Sequence, residues 1–118
     1  MPGGNSLSLS PASIGCKNYP GNNDINAAVR LMPANSLDNS ADINATITKP
    51  DNTTQTVNLS SAGSGVYTYS YNFDSNGTYK IDITGNDAGN IAVGTASLYA
   101  YVGNFDLNIS FLNNNPSY

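Results

Sequence analysis

From Val66 to Phe73 the chain reads Val-Tyr-Thr-Tyr-Ser-Tyr-Asn-Phe, an aromatic ring at every second position. A helix would scatter those four rings around its axis, whereas a β-strand puts every second side chain on one face. The same period of two returns at Ile43, Ala45 and Ile47, at Tyr79, Ile81 and Ile83, and at Phe105, Leu107, Ile109 and Phe111. Strands with one apolar face must stack those faces against each other, so the chain is expected to be all-β.

Between the alternating runs lie the residues that turn a backbone. Lys49-Pro50-Asp51-Asn52 and Asn76-Gly77 suit tight turns, and Gly85 to Asn90 reads as another. Leu7 and Leu9 before Pro11 predict an edge strand, because proline would forfeit a ladder bond in a central one. The segment Lys17 to Asp24 reads as a loop. Ile25 to Met32 reads as a strand with Ala27, Val29 and Leu31 inward, with a short helix as the alternative, and Pro33 to Asn39 ends it. Ala41 to Thr48 and Thr54 to Leu59 would pair antiparallel across the Pro50 turn. Ile91 to Val102 is the long late strand, with a bulge expected near Gly94. Seven or eight strands with no helix between them exclude parallel βαβ crossovers and predict an antiparallel sandwich. One domain spans 1–118, with 1–5 read as a disordered or cloning remnant and 113–118 as a tail or linker.

The composition limits what such a sandwich can do. Charged residues are 10% of the 118, against roughly 25% in an average soluble domain, and the formal charge is -4. Four basic residues, Lys17, Arg30, Lys49 and Lys80, give nucleic acid and anionic membranes nothing to hold. No run of about 18 apolar residues provides a membrane span. Histidine and glutamate are absent, which removes the His-based triad and leaves any carboxylate pair to aspartate. No enzyme activity is expected. Cys16 is a single cysteine without an evident base, so neither an intrachain disulfide nor a thiol catalyst is expected.

The segment from Ile43 to Asn90 carries, in order, the turn Lys49-Pro50-Asp51-Asn52-Thr53, the phrase Gly65-Val66-Tyr67-Thr68-Tyr69-Ser70-Tyr71-Asn72-Phe73, the phrase Asn76-Gly77-Thr78-Tyr79-Lys80-Ile81-Asp82-Ile83, and the closing Gly85-Asn86-Asp87-Ala88-Gly89-Asn90. This series resembles the immunoglobulin-like domains repeated in bacterial and archaeal surface proteins. The resemblance covers under half the chain. It implies a sandwich in which the Tyr79 hydroxyl folds back onto nearby backbone, as in a tyrosine corner. Ile81 stands where antibody domains place a cysteine, which points to disulfide-free relatives. Ser6 to Pro11 is also similar to the way many such domains begin. An extracellular or cell-surface location follows from the resemblance, and fold likeness carries function only by analogy.

Three groups of residues invite a functional reading. Tyr99 and Tyr101 alternate with Leu98, Ala100 and Val102, so an exposed pair would form a platform for sugar rings. Asp82, Asp87 and Asn90 offer hard oxygens for calcium, the one cofactor considered, although the same residues serve a turn through their own side-chain bonds. Asn44, Asn52, Asn58, Asn76 and Asn108 each precede Ser or Thr by two positions and so form glycosylation sequons. Tyr67, Tyr69 and Tyr71 read instead as core. Lysine-asparagine isopeptide bonds require a buried lysine, and Lys80 alternates onto the polar face.

The expectation is therefore a non-enzymatic structural, spacer or envelope-anchoring module. Its partners would be a cell-envelope protein or glycan, or neighbouring domains of the same protein. The alternative is an adhesion module binding glycan or protein, accessory to a polysaccharide-active enzyme. Exposure of Tyr99 and Tyr101 would favour the alternative. The strand predicted from Asn104 to Leu112 would either close the sandwich or add to a neighbour's edge.

Overall fold

The computed structural model describes residues 4–103. Within them lie nine strands, β1 (Ser6–Pro11), β2 (Gly15–Lys17), β3 (Gly21–Met32), β4 (Ser36–Leu37), β5 (Asp42–Thr48), β6 (Thr54–Gly63), β7 (Val66–Phe73), β8 (Gly77–Asp87) and β9 (Ala92–Val102). One 3-10 turn, Ala88–Asn90, joins the last two. No described helix is long and apolar enough to cross a membrane. The all-β expectation holds, with two short strands, β2 and β4, beyond the seven or eight expected.

The strand order is β1-β3-β7-β6-β5-β8-β9-β2, with β4 beside β3. The long strand β6 joins the two halves. Its first part pairs with β5, its last residues pair with β7, and the register shifts between Ser61 and Gly63. The sheet is curled, and apolar side chains from both of its halves enter one core. All ladders are antiparallel except β2 with β9, which runs parallel over Gly15 to Lys17. The purely antiparallel expectation fails there because the chain, having paired β1 with β3, crosses to the opposite edge before β3 begins.

Period-two alternation sets what lies inside. Ile43, Ala45 and Ile47 from β5, Ile25, Ala27 and Val29 from β3, and Tyr79, Ile81 and Ile83 from β8 are all buried in one cluster. Between them stand Tyr71, Phe73 and Tyr79, packed edge to face with centroids 4.9 and 5.0 Å apart for Tyr71–Phe73 and Phe73–Tyr79. That geometry sets the positive ring edges against neighbouring π faces. The Tyr79 hydroxyl donates to Ser75 O at 2.9 Å and accepts from Ser75 N at 3.0 Å. The back-bonding expected of Tyr79 is thus present, and it satisfies a polar group at the floor of an apolar core.

The loop expected from Lys17 to Asp24 is shorter, because β3 already begins at Gly21 and pairs with Phe73, and two further glycine-containing stretches differ from expectation. Strand β8 continues through Gly85 and Asn86 to Asp87, and the turn is confined to the three residues after it. Around Gly94 the β8–β9 register is unbroken, Gly85 opposite Gly94, so no bulge forms. Gly94 instead lets β9 pass close to β1. A Cβ there would collide with the Leu7 carbonyl.

The path through the described residues runs from one end of the sheet to the other. Asn5 donates its side-chain amide to Asn90 O beside the β8–β9 turn, and Gly103 N bonds Lys17 O past the far end of β9. The strand predicted from Asn104 to Leu112 and the tail at 113–118 lie outside the described residues.

Candidate functional site

The outer face of the β5–β8–β9 half is polar, because the even positions of β8 and the odd positions of β9 turn away from the core. Tyr99 and Tyr101 stand on this face, 48% and 37% exposed. Their ring planes are 16° from parallel with centroids 6.2 Å apart. Two residues apart on one strand is the spacing that aligns them. Tyr99 lies opposite Lys80 in the ladder, and Tyr101 lies opposite Thr78 on one side and Cys16 on the other. Lys80 approaches Asp82 at 3.8 Å, both half exposed. Two aromatic rings with a cation, a carboxylate and hydroxyls in adjacent rows can contact the apolar face and the hydroxyl groups of a polar ring compound at once. Tyr67 and Tyr71 are buried, as expected, whereas Tyr69 of the same expected core set is only partly buried against it.

The three residues considered for calcium do not converge. Asp82 and Asp87 are five residues apart on β8, an odd interval that sends them to opposite faces of the sheet. Asp82 faces outward beside Lys80, while Asp87 is buried. Asn90 does reach Asp87, through its backbone N–H at 3.3 Å and its side-chain amide at 2.8 Å. Both bonds are donations, which is the turn-making role of such residues. Among the described residues no cluster of three or more acidic or thiol groups that could hold a metal is present.

Asp87 has a different partner, Asp38, in the segment between β4 and β5. Asp38 is 4% exposed and Asp87 3%, and Ser40 Oγ lies 3.2 Å from Asp38 Oδ1 and 3.3 Å from Asp87 Oδ2. The two carboxyls thus converge on one hydroxyl. Ser40 N donates to Asp38 Oδ1 at 2.9 Å, and the Tyr67 hydroxyl donates to Asp38 O at 2.9 Å while accepting from Ala41 N. Burial first, and then the Asp87 carboxyl, push the Asp38 pKa up, whereas the bonds from Asp38 and Asn90 hold Asp87 below the usual range. Burial also raises the Tyr67 phenol. Asp38 carried no signal in the sequence beyond its place in a polar turn. Its partner stands far along the chain, and only the folded sheet reveals the pair.

The sequons divide into two kinds. Asn52 and Asn76 are exposed on turns, Asn52 with φ 70° after the Pro50 corner. Asn44 and Asn58 are tied together on the outer face, where the Asn58 amide donates to Asn44 Oδ1 at 3.0 Å and to Asp42 Oδ1 at 2.8 Å. Asn108 lies outside the described residues. Cys16 is exposed and free.

Neither a family model nor a curated protein matches the sequence. Among solved structures, the chain superposes on part of an endo-β-1,4-mannanase from Thermotoga petrophila with a TM-score of 0.60 and 14% identity. The match covers 84% of this chain and 20% of that one, so the chain spans about a fifth of the length of the mannanase it resembles. At that identity the likeness concerns the fold alone.

Proposed function

We propose that the chain is a non-enzymatic, immunoglobulin-like sandwich of an extracellular surface protein that binds a glycan on the outer face of its β8–β9 hairpin. The observation that carries the reading is the exposed, aligned pair Tyr99 and Tyr101. Large rings are costly to leave in water in so polar a chain, and the flat C–H face of a pyranose is the kind of surface they stack against. Lys80, Asp82 and Thr78 beside them supply bonds for sugar hydroxyls. The back-bonded Tyr79, the buried Ile81 and the bent sheet support the immunoglobulin-like assignment. Partial likeness to a mannanase suits a segment that accompanies polysaccharide-active proteins.

Affinity electrophoresis through gels containing soluble mannan, xylan or β-glucan tests this directly. Retardation of the intact chain by at least one polysaccharide is expected. It should be lost in the double variant Tyr99→Ala/Tyr101→Ala, each ring being worth about 0.5–1.5 kcal/mol. Unretarded migration on every glycan would sink the binding reading. A second reading would then stand, that of a spacer or anchoring module, which the end-to-end chain path favours because modules threaded that way extend a protein with each repeat.

A further inference from the structure

The atom that needs explaining is Asp38 Oδ2. It is buried and no donor points to it, while its sister oxygen Oδ1 accepts from Ser40. A buried acceptor without a donor is costly, and two buried carboxylates that converge on one serine hydroxyl cannot both stay ionised cheaply. Both difficulties vanish if Oδ2 carries a proton, because it then becomes the donor and Asp87 the acceptor. The Asp87 carboxylate is already the better hydrogen-bonded of the two, held by both groups of Asn90.

Calcium is the poorer occupant. It asks for about six to eight oxygens, and both Asp87 oxygens already accept from Asn90, so the pair with Ser40 Oγ falls short. No lysine or arginine among the described residues forms an ion pair with either aspartate. Tyr67 from β7 is the titratable group whose hydroxyl faces the pair. Arg30 on β3 turns to the exposed face and donates to Asn35 O, and Asp42 at the start of β5 takes the Asn58 amide instead. The turn after β8 contributes neutral Asn90, which is bonded in turn by Asn5 ahead of β1.

We propose that Asp38 and Asp87 share one proton and act as a pH-gated latch, fastening the segment 38–41 to the end of β8. With the proton in place the latch joins the loop before β5 to the β8–β9 corner. Without it, two buried negative charges push that loop away. The signs follow from the two directions of shift. Asp38, raised, stabilises the fold at low pH and loses that contribution as pH rises through its folded pKa. Asp87, lowered, contributes above the ordinary aspartate range and loses its share as pH falls through its own. Stability should peak between the two.

Thermal unfolding of the full chain across the acid-to-neutral range, for the native protein and for Asp38→Asn and Asp87→Asn, reads this out. In the native protein the melting temperature should fall on both sides of a maximum. Asp38→Asn, whose amide is a permanent donor to Asp87, should lose the fall on the high-pH side and keep the one on the acid side. A high-pH fall that persists in Asp38→Asn overturns the latch. Should that variant fail to fold, carboxyl carbon NMR of the native chain decides. Asp38 titrating in the ordinary aspartate range overturns the proposal, and titration above it supports it. Millimolar calcium is the third arm. If it restores the native melting temperature at neutral pH, but not that of Asp38→Asn, the pair holds a cation and the shared proton is refuted.

Discussion

Single hydroxyls tie down backbone at the ends of this sheet. Tyr79 is fully buried, and its oxygen is the partner of both backbone groups of Ser75. Removing that oxygen while keeping the ring would leave those groups without their partner. Tyr79→Phe should therefore cost about 1–3 kcal/mol in urea unfolding, with the slope of the transition unchanged. Cys16 is the contrasting case, exposed and unbonded. Cys16→Ser should alter stability by less than about 0.5 kcal/mol, and a reductant should not shift the native melting temperature.

At the scale of the element, the strands differ in how far they could be read from sequence. Strand β5 was plain because Ile43, Ala45 and Ile47 repeat at a period that only a sheet satisfies. Strand β2 was not, since Gly-Cys-Lys has no alternation and becomes a strand only through the edge that β9 presents. The end of β8 was misread for a related reason. Gly85 and Asn86 are turn formers, yet here they complete a ladder opposite Val93 and Gly94. With that extension the parity of Asp87 against Asp82 is settled, and Asp82 is parted from Asp87 and Asn90. That Tyr99 and Tyr101 share one face was legible from their alternation with Leu98 and Ala100, but which face lies outward was not, and the structure turns the tyrosines out. Gly94 supports a prediction here. Gly94→Ala would force β1 off β9, and a loss of about 1–3 kcal/mol is expected, with faster amide exchange in β1 than elsewhere.

For the molecule as a whole, stability rests on a continuous apolar core rather than on covalent ties or ion pairs. The described ion pairs, Lys49–Asp74 at 3.4 Å and Lys80–Asp82 at 3.8 Å, lie at the surface in contact with water. Raising salt should thus leave the melting temperature nearly unchanged, whereas Ile47→Ala, at a fully buried site, should cost about 2–5 kcal/mol.

The through-path of the backbone also has a mechanical side. Tension drawn between Asn5 and Gly103 pulls the first strands and β9 in opposite directions along their own length. The parallel rungs of β2 on β9 and the antiparallel rungs of β1 on β3 are then strained together rather than peeled one by one. A sheet loaded in this direction yields abruptly at high force, so a tether built from such units would hold its length under flow until a whole unit gives way.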